Sequence, residues 1–339
     1  MEIIKLDNIC DVKTGNKNKE NNDENGLFPF YTRSQIILKS NNYTIDEEAI
    51  IIPGEGSFIP MWNTGKAAIH QRTYIIKSSN LNKLLNKYLY YWWFKNYKIL
   101  KQSAVGSTVK SLRKFHFLKP QINLPNLKYQ QDIISIIEPF ENLNNSIINL
   151  IFKLKIIYLN IINNHFSSRG LMRDNEIIFK KGINFNRDML SNNKEEICFI
   201  NVSAINNNAN KFIKNNYKEL INTKIGDIIL SLDANVGLVN NFLFGINGYG
   251  FKVFSKNEKF KNYQIYFSLL NKFNQQIMQK FATGTTIKHA NRAKNHLILL
   301  DFLSWNKFLK LIYEYEIKLK MMSEKIKLII SNLIKLLVK

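Results

Sequence analysis

Apolar residues recur at alternating steps of three and four in two long stretches of the chain, residues 127–165 and 305–337. Such spacing over several heptads predicts a long helix with one apolar seam, and a seam needs a partner helix. Two such helices in one chain can partner each other. The first predicted seam comprises Ile133, Ile137, Phe140, Asn144, Ile147, Ile151, Leu154, Tyr158 and Ile161. The second comprises Trp305, Phe308, Ile312, Tyr315, Leu319, Met322, Ile326, Ile329, Leu333 and Leu336.

The stretch that precedes the first long helix has the pattern of short strands and turns. Residues 50–52 predict a buried strand that ends in the turn-rich residues 53–56, and residues 67–76 predict another strand. Residues 81–102 predict a helix, and the aromatic rings at residues 88–97 either stack on bases or form the core. Aromatic residues at helical spacing favour the core.

The second half repeats this order at a displacement of 178 residues. Residues 282–288 (Ala-Thr-Gly-Thr-Thr-Ile-Lys) fall on residues 104–110 (Ala-Val-Gly-Ser-Thr-Val-Lys), and Asp233 falls on Glu55. An internal repeat found in this way indicates a duplicated architecture. We therefore expect an α+β fold with two pseudo-symmetric domains at residues 1–125 and 167–300. The central long helix occupies residues 126–166 and the C-terminal long helix residues 301–339.

The charge of the chain points to a polyanionic partner. The formal charge is +22 and the pI is about 9.7, which favours nucleic acid or an acidic surface, although a merely soluble basic surface is the alternative. The charge is unevenly spread. Residues 56–131 contain thirteen Lys and Arg and no acid, and residues 234–300 contain nine Lys and Arg against Glu258 alone. Two basic blocks indicate two contact surfaces for nucleic acid.

No catalytic centre or metal site is predicted. The chain lacks a Pro-Pro pair for a base-flipping methyltransferase, a GxxxxGK[ST] loop and a GxGxxG loop, and its five histidines do not cluster at ligand spacing. Cys10 and Cys198 lack metal-type spacing, and the first residues lack signal-peptide character, so a cytoplasmic protein is expected. Polar residues interrupt the most apolar run, residues 147–162, so no membrane partner is expected.

Candidate contacts with nucleic acid lie in the loops of the two domains. Arg and Gln side chains can bind guanine and adenine bidentately, and the Gly-Ser/Thr-Thr loops offer hydroxyl and backbone donors to phosphates. An ordinary solvated loop or a helix stop is the alternative at each position. The candidate residues are Ser57, Phe58, Lys66, His70, Gln71, Arg72, Ser107, Thr108, Lys110, Arg113, Asn235, Asn240, Thr285, Thr286, Lys288 and Arg292.

The junction into the first long helix resembles a known family. Gly106-Ser107-Thr108, followed by residues 124–133 (Leu-Pro-Asn-Leu-Lys-Tyr-Gln-Gln-Asp-Ile) and the long apolar helix, is similar to the specificity (S) subunits of type I restriction-modification enzymes. The likeness covers essentially the whole chain, because a repeated domain plus long helix is the plan of that family. Two departures occur: Leu300-Asp301-Phe302 replaces the second Leu-Pro, and Tyr129 stands where the family usually has Glu.

The resemblance implies a function without catalysis by this chain. Each domain would be a target recognition domain of α/β fold that reads one half of a bipartite, asymmetric double-stranded DNA target. The two helices would pack antiparallel as a coiled-coil spacer. The subunit would recruit two methyltransferase (M) subunits and two restriction (R) subunits. S-adenosylmethionine, ATP and Mg²⁺ would bind to those partners and not to this chain. The alternative is a non-catalytic coiled-coil adaptor whose basic domains bind nucleic acid without sequence choice.

Overall fold

A computed structural model describes residues 2–107, 109–191, 193, 196–207, 209 and 211–339. The fold is of the α+β class, as predicted. The chain divides into two compact units, each with its own hydrophobic cores. The first unit is Met1–Asn144 together with Lys325–Lys339, and the second is Asn145–Glu324.

In its described residues, the first unit has short strands and three short α-helices, followed by one long helix. Its strands are β1 (Glu2–Lys5), β2 (Cys10–Thr14), β3 (Phe28–Tyr31), β4 (Leu38–Ser40), β5 (Ile45–Asp46), β6 (Ala49–Pro53), β7 (Met61–Asn63), β8 (Lys66–Ile69), β9 (Thr73–Ser78) and β10 (Gln121–Leu124). Its helices are α1 (Asn86–Asn96), α2 (Lys98–Ser103), α3 (Lys114–Leu118) and the first part of α4 (Leu127–Asn164).

Three sheets arise from these strands among the described residues. The first is antiparallel, in the order β2-β9-β6-β7, the second has the order β4-β3-β8-β5 with β3 and β8 parallel, and β1 pairs with β10. The apolar run of β6 pairs on both sides, and Ile50, Ile51 and Ile52 are fully buried, as predicted. The single strand predicted at residues 67–76 is instead two strands, β8 and β9, joined by a turn at residues 70–72.

The second unit has the same kinds of element. Its strands are β11 (Ser167–Leu171), β12 (Ile177–Lys181), β13 (Leu190–Ser191), β14 (Ile197–Ile200), β15 (Phe212–Ile213), β16 (Ile228–Leu230), β17 (Val239–Asn240), β18 (Ile246–Asn247), β19 (Phe251–Ser255) and β20 (Ile298–Asp301). Its helices are α5 (Val202–Ile205), α6 (Asn262–Leu270), α7 (Lys272–Lys280), the last part of α4 and the first part of α8 (Asn306–Leu337).

The internal repeat predicted from the sequence is present in the strand topology. The order β12-β19-β16-β17 matches β2-β9-β6-β7, β14 and β18 form the parallel pair that β3 and β8 form, and β11–β20 matches β1–β10. Two isolated bridges also recur at the displacement of 178: Glu55–Ser111 corresponds to Asp233–His289, and Val105–Ser111 to Thr283–His289. The two units therefore share one framework.

The seam predicted for α4 is confirmed. Each of its nine positions is buried or half-buried, whereas the flanking Ile136 and Leu143 are 44% and 49% exposed. In the first unit, Ile133 and Ile137 share a core with Ile334 of α8 and with Val338, which follows the helix. The start of α4 thus packs against the end of α8.

In the second unit, the end of α4 packs against the start of α8. Tyr158 and Ile161 share a core with Leu309, Ile312 and Tyr313. Together, the contacts within the two units define an antiparallel pairing of the two helices.

The seam predicted for α8 is wrong at every second position, where the predicted residue is exposed and not buried. Phe308, Tyr315 and Met322 are exposed by 42–59%. The observed seam replaces them with neighbours that include the polar Glu316 and Ser323, which are 3% and 4% exposed. Because two seam positions are polar, a seam predicted from apolar residues alone is displaced by one residue at these positions. The observed seam is Leu309, Ile312, Glu316, Leu319, Ser323, Ile326, Ile330, Leu333, Ile334 and Leu337.

Helix α4 meets the length and composition criterion for a membrane span, with a mean hydropathy of 1.4 in its most apolar stretch. Core helices of globular proteins meet the same criterion. Ile137 and Ile147 of this helix are buried against protein, so its seam already has protein partners.

Two adjacent isoleucines of α4 test the seam. Ile137→Ala removes a fully buried side chain and is expected to lower the free energy of unfolding of the first unit by about 2–5 kcal/mol. Ile136→Ala, at a position 44% exposed, is expected to change it by less than about 0.5 kcal/mol. Urea denaturation followed by circular dichroism measures both. Equal losses would contradict the assignment of the seam.

Candidate nucleic-acid interface

Three loops of the first unit converge at the end of β6. Gly54 connects two of them to the strand, because its N–H donates to the carbonyl of Arg72 (2.9 Å) and its carbonyl accepts from the N–H of Leu112 (2.8 Å). Glu55 then forms a β-bridge with Ser111. These bonds bring together residues 54–59, the turn at residues 70–72 and the loop at residues 105–111.

A carboxylate held by two arginines lies at the centre of this convergence. Glu55 Oε2 accepts a hydrogen bond from Arg33 Nη1 (2.8 Å), and Glu55 Oε1 accepts one from Arg72 Nη1 (2.7 Å). The Glu55 side chain is 11% exposed, whereas Arg33 and Arg72 are 49% and 59% exposed. The hydrogen bond from Arg33, with that from Arg72, lowers the pKa of Glu55 despite its burial. The cluster is therefore an ionised carboxylate with two guanidinium groups facing solvent.

Arg33 and Gln35 belong to this site, although neither is among the contact residues predicted from the sequence. Both follow β3, and Gln35 Nε2 donates to Ser57 Oγ (3.0 Å) and to the carbonyl of Ile59 (3.1 Å). The rarity of arginine in this part of the sequence could have identified Arg33. In a chain rich in lysine, residues 1–166 contain only three arginines, Arg33, Arg72 and Arg113, and the first two share Glu55.

Three of the predicted contact residues do not face the site with their side chains. Phe58 is 2% exposed and belongs to the core, with a φ of 51°. His70 is 5% exposed, and its Nδ1 accepts the N–H of Arg72 (3.0 Å). Burial lowers the pKa of His70, and Arg33 and Arg72 lower it further. Lys66 begins β8, about 10 Å of strand away from the turn at residues 70–72, and its Nζ lies 4.8 Å from the centre of the Tyr43 ring.

A seven-residue loop is closed by the same pair of backbone hydrogen bonds in both units. Residues 105–111 are closed by a pair of hydrogen bonds of 3.0 and 2.8 Å between Val105 and Ser111, and residues 283–289 by a pair of 3.0 and 2.8 Å between Thr283 and His289. The glycine in each has a positive φ, 129° at Gly106 and 114° at Gly284. Cβ atoms there would lie 2.3 and 2.2 Å from the carbonyl oxygens of residues 109 and 287. Only glycine fits this turn.

The predicted contact residues that lie in or just after these loops are exposed, where the structure describes them. In the first unit they are Ser107, Lys110 and Arg113, and in the second Thr285, Thr286, Lys288 and Arg292. Gln71 is exposed on the neighbouring turn of the first unit, whereas Ser57 is half-buried. Thr108 lies outside the described residues.

The second unit carries a different polar pair at the equivalent place. Asp233 Oδ1 lies 2.8 Å from His289 Nδ1, and no arginine stands where Arg72 stands, since the residue at that displacement is Gly250. Asn235 is exposed beside Asp233. Asn240 is instead 5% exposed; its Nδ2 donates to the carbonyl of Ile205 (2.9 Å) and its Oδ1 accepts from the N–H of Phe242 (2.7 Å).

This chemistry suits recognition of an anion with hydrogen-bonding edges. The exposed groups are guanidinium, ammonium, hydroxyl and amide donors, which bind phosphates and base edges. Among the described residues, no group of three or more His, Cys, Asp and Glu side chains is placed to hold a metal ion.

A family model, a curated relative and a solved structure that resemble this chain are all type I restriction-modification specificity proteins. Residues 1–153 match the family described as the type I restriction modification DNA specificity domain. The chain is 28% identical over 126 residues to the type I restriction enzyme EcoDI specificity subunit of Escherichia coli, a match that covers 37% of this chain and 28% of that protein. The crystal structure of a type I restriction-modification S subunit from M. genitalium has the same fold, with a TM-score of 0.55 and 14% identity, covering 100% of this chain and 96% of that one.

Two asparagines of the second unit, the buried Asn240 and the exposed Asn235, are expected to differ in their contribution to stability. Asn240→Ala leaves the carbonyl of Ile205 and the N–H of Phe242 without their partners and is expected to cost about 1–3 kcal/mol of stability. Asn235→Ala, at an exposed position, is expected to cost less than about 0.5 kcal/mol. Thermal denaturation by calorimetry compares them. A stability loss at Asn235 as large as that at Asn240 would contradict these placements.

Proposed function

We infer the function from one premise: the chain belongs to the family of DNA specificity subunits of type I restriction-modification systems. We propose that it is the non-catalytic subunit that reads a bipartite, asymmetric double-stranded DNA sequence. Each unit would read one half of the target. The matched relative from E. coli is covered over less than a third of its length, so the activity is argued from the residues of this chain.

The observation that carries the proposal is a shared framework with different polar groups at its centre. Glu55 and Asp233 occupy equivalent bridges, yet Glu55 binds two arginines and Asp233 binds His289. Two copies of one framework can bind two equivalent stretches of duplex. Different side chains at the same place then select different bases, as an asymmetric target requires.

The seven-residue loops supply the part of binding that does not depend on sequence. Both present a hydroxyl and a lysine, Ser107 with Lys110 and Thr285 with Lys288, on the same backbone. Phosphate contacts fix position and register, whereas contacts with base edges specify sequence. We therefore assign the loops, with Arg113 and Arg292, to the DNA backbone.

The proposed domain limits follow from this division of roles. Residues 1–125 and 167–300 form the two target recognition domains. Residues 126–166 and 301–339 would form the two spacer segments, which contain α4 and α8.

The exposed faces of the long helices support docking of partner subunits. On α8, exposed apolar residues recur at intervals of seven, and α4 has a similar row. Apolar rows at heptad spacing fit helices of another chain. These rows are Phe308, Tyr315, Met322, Ile329 and Leu336 on α8, and Ile136, Leu143, Leu150 and Ile157 on α4.

We assign these rows to two methyltransferase (M) subunits, through which two restriction (R) subunits join. S-adenosylmethionine, ATP and Mg²⁺ would belong to those partners, and this chain would bind none of them. Because the substrate is the chromosome, the complex would act in the cytoplasm.

Sequencing of methylated adenine in the host genome tests the proposal. With the gene intact, we expect a bipartite asymmetric motif that disappears when the gene is deleted. Exchanging residues 1–125 for those of a relative should change one half of the motif, and exchanging residues 167–300, the matched control, should change the other half. A motif unaffected by deletion or exchange would contradict the proposal. Equal affinity for random duplexes would support an adaptor without sequence choice.

A further inference from the structure

We propose that Arg33 and Arg72 read guanine in the half-site of the first unit and that Glu55 is the positioning residue that aims them. This inference rests on the proposed function and names the residues that give the first unit its specificity.

Each arginine keeps free donors after it has bound Glu55. A guanidinium group has five N–H donors in a planar fork, and each of these two uses only its Nη1 on the carboxylate. Among the described residues, neither Arg33 nor Arg72 has a second side-chain partner. Both are about half exposed. The remaining edge of each fork is therefore available for a bidentate contact with the O6 and N7 atoms of guanine, the commonest specific contact in the major groove.

The backbone that carries Arg72 is fixed before any ligand binds. Its carbonyl accepts the N–H of Gly54 (2.9 Å), and its N–H donates to His70 Nδ1 (3.0 Å). A Cβ atom at Gly54 would lie 2.8 Å from the Arg72 carbonyl oxygen, so glycine permits this close approach. A side chain held on such a support loses little freedom on binding.

On the other side, Arg33 lies close to the backbone of residues 54–59. Its carbonyl oxygen lies 3.2 Å from the position of a Cβ atom at Gly56, which has a φ of 89°. Gln35 ties the same loop to Ser57 and Ile59. Both guanidinium groups thus stand on loops that converge on β6.

The charge of the cluster favours a base over a phosphate. A phosphate site gains from each positive charge, whereas Glu55 cancels one of the two arginine charges and would repel a phosphate. A guanine edge is neutral and selects by the direction of its acceptors. Glu55 stays ionised and fixes the direction of both guanidinium groups, which is the arrangement that direct reading of a base requires.

The inference applies to the first unit alone. The residue at the position of Arg72 in the second unit is Gly250, and Asp233 binds His289. The two half-sites should therefore differ in their requirement for guanine.

Duplexes with altered guanines provide the first test. Once the methylated motif is known, the half-site that changes when residues 1–125 are exchanged must contain at least one G·C pair. Fluorescence anisotropy with the full-length chain then compares guanine, 7-deazaguanine, which lacks N7, and hypoxanthine, which keeps N7 and O6. We expect about 10-fold or greater loss with 7-deazaguanine and little loss with hypoxanthine. A half-site without a G·C pair, or the opposite order of losses, would overturn the inference.

Variants of the cluster provide the second test. Arg72→Lys and Arg33→Lys keep the charge but lack the planar fork, so each should lower the preference for a G·C pair at one position by about 10-fold with an unchanged dependence on salt. Glu55→Gln should lower that preference and at the same time raise affinity for unrelated duplexes. If Glu55 had a purely structural role, Glu55→Gln would lower both the preference for a G·C pair and the affinity for unrelated duplexes.

Lys110→Ala is the matched control, since it should weaken binding to all duplexes alike and reduce the salt slope by about 1. Retained preference for guanine in both arginine variants would overturn the inference while leaving the proposed function intact. The absence of any sequence preference in the wild-type chain would instead refute the proposed function.

Discussion

The pairing of α4 with α8 is the interaction on which both units depend. In the first unit, Ile334 and Val338 join the core around Ile133 and Ile137, although about two hundred positions of sequence separate them. Each fully buried aliphatic side chain contributes about 1.5–3 kcal/mol relative to its exposed state. The sheets and short helices of residues 2–124 therefore complete their core only with the last turns of the chain. The second unit uses the start of α8 for the same purpose.

The seam of α8 is not uniformly apolar, and its polar members constrain the pairing. Glu316 is 3% exposed, and its Oε1 binds Lys320 Nζ at 2.7 Å. Burial and the Glu316 carboxylate raise the pKa of Tyr158 on α4, so this tyrosine remains neutral. A buried charge is costly unless it is paired in one geometry. Lys320 lies on the same helix and would move with Glu316, but shifting α8 by one heptad would take Glu316 away from Tyr158 and Lys320 Nζ away from Asn241 Oδ1 (3.1 Å). We therefore regard Glu316 as a residue that fixes register at the expense of stability.

The sequence allowed prediction of features that depend on spacing, but not of those that depend on contacts between distant segments. The repeat, the buried strand β6 and the seam of α4 follow from regular patterns. The phase of α8 was missed because Glu316 and Ser323 are polar. Phe58, His70 and Asn240 were selected as loop residues of suitable chemistry, but the framework buries all three side chains. Arg33 was missed because only folding brings it to Glu55. Their roles in binding DNA remain predictions.

Hydrogen exchange of a variant in the last turns of α8 tests the central claim most directly. Ile334, which is 1% exposed, is replaced by Asp, with Leu336→Asp at a position 79% exposed as the control. Our account predicts that Ile334→Asp lowers the protection of amides throughout residues 2–144, leaves residues 145–324 protected, and that the control has little effect. Full protection of residues 2–144 in Ile334→Asp would show that the N-terminal unit does not depend on α8 and would contradict the account.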